Sequence, residues 1–144
     1  MTKGGAMSKQ IYINLPVSDL VRSTTFYEAL GFTKNPTFSD EKASGMMWSD
    51  NIIVMLLTHD FYKRFIGDKQ IADATTTSGA LLALSLDSKD AVQLFADTAK
   101  ANGGNYYAVD MGIESDMMFS YEVEDPDGHI WEPLWMDSNF DPSA

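Results

Sequence analysis

Near the start of the chain, apolar and polar positions alternate. Ile11, Ile13, Leu15 and Val17 fall on one side of an extended segment, and Tyr12 and Asn14 on the other. The pattern predicts a β-strand. Pro16 marks its end or an unpaired edge, because proline has no N–H to give a neighbouring strand. The period then changes to that of a helix: Leu20, Ser23 or Thr24, Tyr27 and Leu30 share one stripe. Ser18 or Asp19 stands where a side-chain oxygen caps the first turn. Gly31 stands where a left-handed residue ends the helix. Three extended runs follow, near 32–39, 44–49 and 52–58, the last two joined by a hairpin-type turn at Asp50-Asn51.

The second half repeats this order. Ala80–Leu86 reads as a strand. Ser88 caps a helix with Ala91, Val92, Phe95 and Ala99 on one stripe, and Asn102-Gly103-Gly104 ends it. Extended runs lie near 105–109, 117–124 and 129–136, with Pro126-Asp127-Gly128 turning the chain into the last. Each half therefore reads β-α-β-β-β. The turn residues Asn51 and Gly128 stand at the same offset as Met55 and Glu132, so the repeat keeps its register although the residues differ. The domain is expected over 11–137, as module one (11–58), a linker (59–79) and module two (80–137), with tails at 1–10 and 138–144. The linker opens with aromatics at helical spacing (Phe61 and Phe65; Tyr62 and Ile66) and turns threonine-rich through Thr75-Thr76-Thr77. It predicts a short helix and a loop of the length that often serves as a lid.

Composition narrows the setting. A chain of 144 residues, 44% hydrophobic and 22% charged, suits one folded domain with a real core. A net charge of −11 repels phosphate backbones and anionic bilayers, so neither nucleic acid nor membrane is an expected partner. No apolar run approaches the roughly 20 residues that span a bilayer. The absence of cysteine removes disulfides, thiolate metal sites and a cysteine nucleophile, and fits a cytoplasmic protein. Gly4-Gly5-Ala6 reads as a flexible tail, and Met7 as an alternative start. No G-x-S-x-G, G-x-G-x-x-G or P-loop pattern occurs.

Three blocks carry a family likeness: Leu15-Pro16-Val17-Ser18-Asp19-Leu20 with Ser23, Phe26-Tyr27 and Leu30-Gly31-Phe32; Leu82-Ala83-Leu84-Ser85-Leu86-Asp87; and Asp125-Pro126-Asp127-Gly128 with Glu132 four residues on. Together they resemble the vicinal oxygen chelate superfamily of glyoxalases, bleomycin-resistance proteins and extradiol dioxygenases. The resemblance implies an α+β fold in which two βαβββ modules form an incompletely closed eight-stranded cup, helices outside. It also implies a homodimer. In metal-dependent members the ligands come from positions matching Tyr12, Met55, Leu81 and Glu132. Here those positions offer a phenol, a thioether, an alkyl chain and one carboxylate. Divalent-metal centres need several charged or imidazole donors converging on one point. Neither a metal nor any other cofactor is therefore expected.

The expected ligand is a small hydrophobic or aromatic molecule. Its candidate contacts are Tyr12, Asn14, Trp48, Met55, Leu57, Leu81, Ala83, Phe119 and Glu132, since apolar walls with a few polar groups compose most small-molecule pockets. Two readings of Glu132 stand. It is a general base or ligand anchor with a pKa raised by burial, or a carboxyl paired with the Tyr12 hydroxyl or a water. Tyr12 likewise either meets a ligand or fills space. Trp48 and Phe119 either stack on a planar ligand or pack in the core. Trp131 and Trp135 alternate with Glu132 and should pack under the helices, while His59 and His129 read as surface residues. The alternative function is a metal-dependent lyase or dioxygenase with an unconventional site.

Overall fold

The computed structural model describes residues 9–141, so the tail read at Gly4-Gly5-Ala6 lies outside the described residues. The chain divides into two compact units between Ile71 and Ala72. Both are α+β, each a sheet with a helix on one face. Among the described residues no helix is long and apolar enough to cross a membrane.

In the first unit, β1 (Ile11–Val17) is followed by α1 (Leu20–Ala29), β2 (Thr33–Asn35), β3 (Ala43–Ser49), β4 (Ile52–Thr58) and α2 (His59–Lys63). The sheet order is β1-β4-β3-β2, with β1 parallel to β4. Pro16 thus sits in an edge strand, where its missing N–H leaves no gap in the ladder. The run expected near 32–39 is shorter than read. Its strand stops at Asn35, because Pro36 opens a 3-10 turn through Phe38 that Asn35 caps. Asp19 is the cap of α1, accepting from the Arg22 N–H at 3.0 Å, and Gly31 takes the left-handed conformation (φ 105°) that ends it. α1 buries Ser23, Thr24, Phe26 and Tyr27 against one face of the sheet. Phe26 and Tyr27 meet edge to face at 5.2 Å, and the Thr24 and Ser44 hydroxyls lie 2.7 Å apart, which satisfies two buried polar groups. Full burial of each such ring contributes about 2–3 kcal/mol.

In the second unit, β5 (Leu81–Ser85) leads through α3 (Lys89–Ala101) to β6 (Asn105–Tyr107), β7 (Met118–Ser120), β8 (Glu122–Glu124) and β9 (Ile130–Met136). β5 runs parallel to β9; β8 and β7 pair antiparallel with successive parts of β9. Ser88 caps α3, and Val92, Phe95, Ala96 and Ala99 form its buried stripe. Trp131 is fully buried on the helix side with Val123 and Leu84. The run expected near 117–124 is two strands. The break falls at Tyr121, whose N–H reaches the Pro133 carbonyl only at 3.4 Å, and Pro133 has no N–H to return.

Candidate functional site

Strand pairing sorts the sequence candidates by face. In the first unit Tyr12, Asn14 and Pro16 lie opposite Ile53, Met55 and Leu57, so Tyr12, Asn14, Met55 and Leu57 share the face that α1 does not cover. Trp48 is on the other face, 5.0 Å from Phe32 in the aromatic cluster beneath α1. Tyr12 is half exposed, and its hydroxyl donates to the Gln10 side chain at 3.3 Å. Phe38 closes over the sheet at Gly45, beside the Met55 sulfur.

The far end of this face holds a cavity of about 280 Å³, lined by Asn14, Leu57, Tyr62, Phe65 and Ile66. Its roof is α2 and the residues that follow. Thr58 caps α2 by accepting from the Phe61 N–H at 3.3 Å, and the Phe65 N–H donates to the Tyr62 carbonyl at 3.0 Å. That winding puts Tyr62, Phe65 and Ile66 on one side. Phe61 points elsewhere, with the Lys42 ammonium 5.5 Å and the Arg64 guanidinium 5.7 Å from its ring. The sequence showed helical spacing in two pairs, Phe61 with Phe65 and Tyr62 with Ile66, but nothing in it says which of these residues cover a strand face.

In the second unit Leu81 and Ala83 pair with Ile130 and Glu132, and all four share the face away from α3. Phe119 pairs with Trp135 on the α3 side, 5.3 Å from Tyr121. The residue that sequence reading missed is Glu122. The Asp125–Gly128 turn pairs Val123 with Trp131, so Glu122 lies across from Glu132 on the open face, and Tyr107 lies beside Glu122. Counting outward from the turn would have found it. Like charges directly opposed across strands repel, so the register that sets Glu122 opposite Glu132 favours a state in which the pair holds one proton. Burial, then the hydrogen bond and charge of Glu132, push the Glu122 carboxyl up to about 7. Within its own unit Glu132 thus faces Glu122, while the Tyr12 hydroxyl of the first unit donates to the Gln10 side chain.

The donor set does not fit a divalent metal. In the first unit Met55 offers only a soft thioether, and in the second Leu81 and Ala83 supply no donor beside the Glu122–Glu132 pair, so neither unit by itself presents the several hard donors such an ion needs. Among the described residues no three His, Cys, Asp or Glu side chains cluster in a way that could hold a metal ion.

Comparison with known proteins places this architecture. Residues 9–47 match the family described as bleomycin resistance protein-like N-terminal. No curated protein sequence matches the chain. A glyoxalase/bleomycin resistance protein/dioxygenase family enzyme from Burkholderia phytofirmans PsJN superposes with a TM-score of 0.74 at 16% identity, covering 90% of this chain and 100% of that one. A hypothetical protein from S. aureus, SA1046, gives 0.71 at 22% identity, covering 90% and 95%. The genomically encoded fosfomycin resistance protein FosX from Listeria monocytogenes gives 0.64 at 17% identity, covering 95% and 98%. The N-terminal match and the shared architecture agree with the likeness read from the three sequence blocks: the chain carries the fold of the vicinal oxygen chelate superfamily, and its residues 9–47 are similar to the N-terminal part of bleomycin resistance protein-like chains.

Proposed function

We propose that this protein binds a small hydrophobic or aromatic molecule without using a metal. The observation that carries this reading is the cavity in the first unit, where Leu57, Tyr62, Phe65 and Ile66 make apolar walls and Asn14 supplies an amide at the edge. A homodimer in the cytoplasm, with neither nucleic acid nor membrane as partner, goes with this reading. Nile red is a suitable probe, because its fluorescence rises in an apolar seat. It should bind saturably, and Phe65→Ala should weaken it about tenfold by removing one aromatic wall. Phe65 is exposed, so the variant should fold like the parent. Identical titrations for the two proteins would sink the proposal, as would stoichiometric metal in protein purified without chelator.

A second reading rests on the shared proton of Glu122 and Glu132. Glu122, whose carboxyl is pushed up to about 7, lies across from Glu132, which Ile130 and Leu134 flank on its own strand face; the pair is placed for proton transfer, with Glu132 as the base. The proton itself can be tested through stability. Glu122 binds its proton more tightly in the folded than in the unfolded chain, so the folded state gains most below the ordinary value of 4.5. That gain is lost as pH rises through about 7. Urea unfolding should show this decline between pH 5 and 8. Glu122→Gln should flatten it and stabilise the protein at pH 8 by roughly 0.5–1 kcal/mol, by removing one of two opposed charges. An unchanged pH slope in the variant would refute the shared proton.

A further inference from the structure

The cavity under α2 combines two features that narrow its ligand. Tyr62 and Phe65 present aromatic surfaces from one side of a short helical segment, and Leu57 supplies the buried floor. Such a slot favours a flat, rigid ring over a branched alkyl group. At its edge, the Asn14 amide carries both donors and an acceptor. Among the described residues neither the Asn14 amide nor the Tyr62 hydroxyl has a side-chain hydrogen-bond partner in the protein. Asn14 is also fixed in direction. It stands on an edge strand whose backbone is paired to β4 at Met55, next to the Pro16–Leu57 pair. The roof is fixed as well: Phe61 is held by Lys42 and Arg64, and Phe65 meets the Phe61 ring edge to face at 5.1 Å. Among the described residues, neither Asp nor Glu, and neither Lys nor Arg, lines the cavity, so none of them pairs there with a charged ligand.

Resting on the reading that this cavity is a ligand seat, we infer that its preferred ligand is a neutral planar heteroaromatic with a lactam or carboxamide edge, its N–H and C=O paired with the Asn14 amide and its ring between Leu57 and the Tyr62–Phe65 face. A donor–acceptor edge matches an amide in two parallel hydrogen bonds, whereas a ring with an acceptor alone, or an N-alkylated lactam, makes only one of them and leaves the Asn14 carbonyl without a donor.

The test uses 2-quinolinone, N-methyl-2-quinolinone and quinoline, titrated into the full chain and followed by NMR at the backbone amides of Leu57 and Phe65 in every protein, and at the Asn14 side-chain NH2 resonances in the parent. The expected result is that 2-quinolinone binds roughly tenfold more tightly than either analogue and shifts the NH2 signals most. Asn14→Leu should abolish that preference, bringing the affinities of the three probes within about twofold of one another. Asn14→Asp, which keeps the acceptor and loses the donors, should lose most of it too. Asn14 is exposed, and matching thermal melts will show that the variants fold. Equal affinity for all three probes, or a preference that survives Asn14→Leu, overturns the inference and leaves the broader reading standing. If none of the three saturates, the cavity is not an aromatic seat and both fall.

Discussion

Gly128→Ala is expected to destabilise the protein by about 3 kcal/mol. Two effects add. Gly128 has φ 94°, a left-handed conformation in which a side chain costs about 1–2 kcal/mol. An added methyl would also meet the Ala74 carbonyl oxygen at 2.6 Å, its carbon at 2.7 Å and the Thr75 nitrogen at 2.8 Å. These are backbone atoms and cannot swing aside. Their segment is braced by Asp73, whose carboxylate accepts from the Thr75 N–H at 3.0 Å and the Thr75 hydroxyl at 2.6 Å. Overpacking of this kind costs about 1–3 kcal/mol. Gly67 separates the two effects: it has φ 63° with nothing within 4 Å of the added carbon. Gly67→Ala should therefore show only the conformational part, about 1 kcal/mol. Urea unfolding of both variants checks this, and equal losses would mean that the contact with Ala74 is not tight.

Much of the fold was legible because its signals are local. A cap at Ser18 or Asp19 and another at Ser88, stops at Gly31 and Asn102-Gly103-Gly104, and the stripes of α1 and α3 each follow from a few adjacent residues; the structure uses Asp19 and Ser88 as caps and gives Gly31 and Gly103 positive φ. Where local reading failed, the cause was also proline: Pro36 shortened one strand, and Pro133 interrupted the partner of another from across the sheet. Alternation assigned Tyr12, Asn14, Met55 and Leu57 correctly to one face. It could not do the same for Trp48, because a register shift between Met47 and Ser49 and the Phe32 ring decide where that indole packs. Phe119 needed its partner Trp135 to be known before its face could be read.

The candidate site was less legible because its parts become neighbours only through pairing and packing. Glu132 stood out as a carboxylate on a strand, but its chemistry depends on Glu122, which is ten residues away and meets it only through the hairpin register. Likewise the helical spacing of Phe61 with Phe65 and of Tyr62 with Ile66 was visible, yet its meaning comes from the strand face that Tyr62, Phe65 and Ile66 cover, beside Asn14 and Leu57. A solitary buried carboxylate and a proton-sharing pair make opposite demands on a ligand: the first needs a donor, whereas the second already supplies one.

That dependence on register gives the second large effect. Asp125→Ala is expected to cost about 3 kcal/mol and to perturb the Glu122–Glu132 pair, although Asp125 touches neither fold face directly. Asp125 is 3% exposed, and its Oδ1 accepts from the N–H groups of Asp127 and His129, both at 2.9 Å. Its own backbone completes the turn, donating to the His129 carbonyl at 2.9 Å and accepting from the Gly128 N–H at 2.9 Å. Alanine keeps the backbone pair but orphans two donors in a part-buried turn, each worth about 1.5–3 kcal/mol when bonded to a carboxylate, less what water recovers. Asp125→Asn retains an oxygen in the same place, so it should recover more than half of the loss. The two strands leaving this turn carry Glu122 and Glu132 at equal distance from it, so a slip by one residue would turn Glu132 toward α3 and separate the carboxyls. The pH dependence of stability near 7 should accordingly be weakened in Asp125→Ala and kept in Asp125→Asn. If alanine lowers stability but leaves that pH dependence intact, the turn supports the fold without setting the register of the acidic pair.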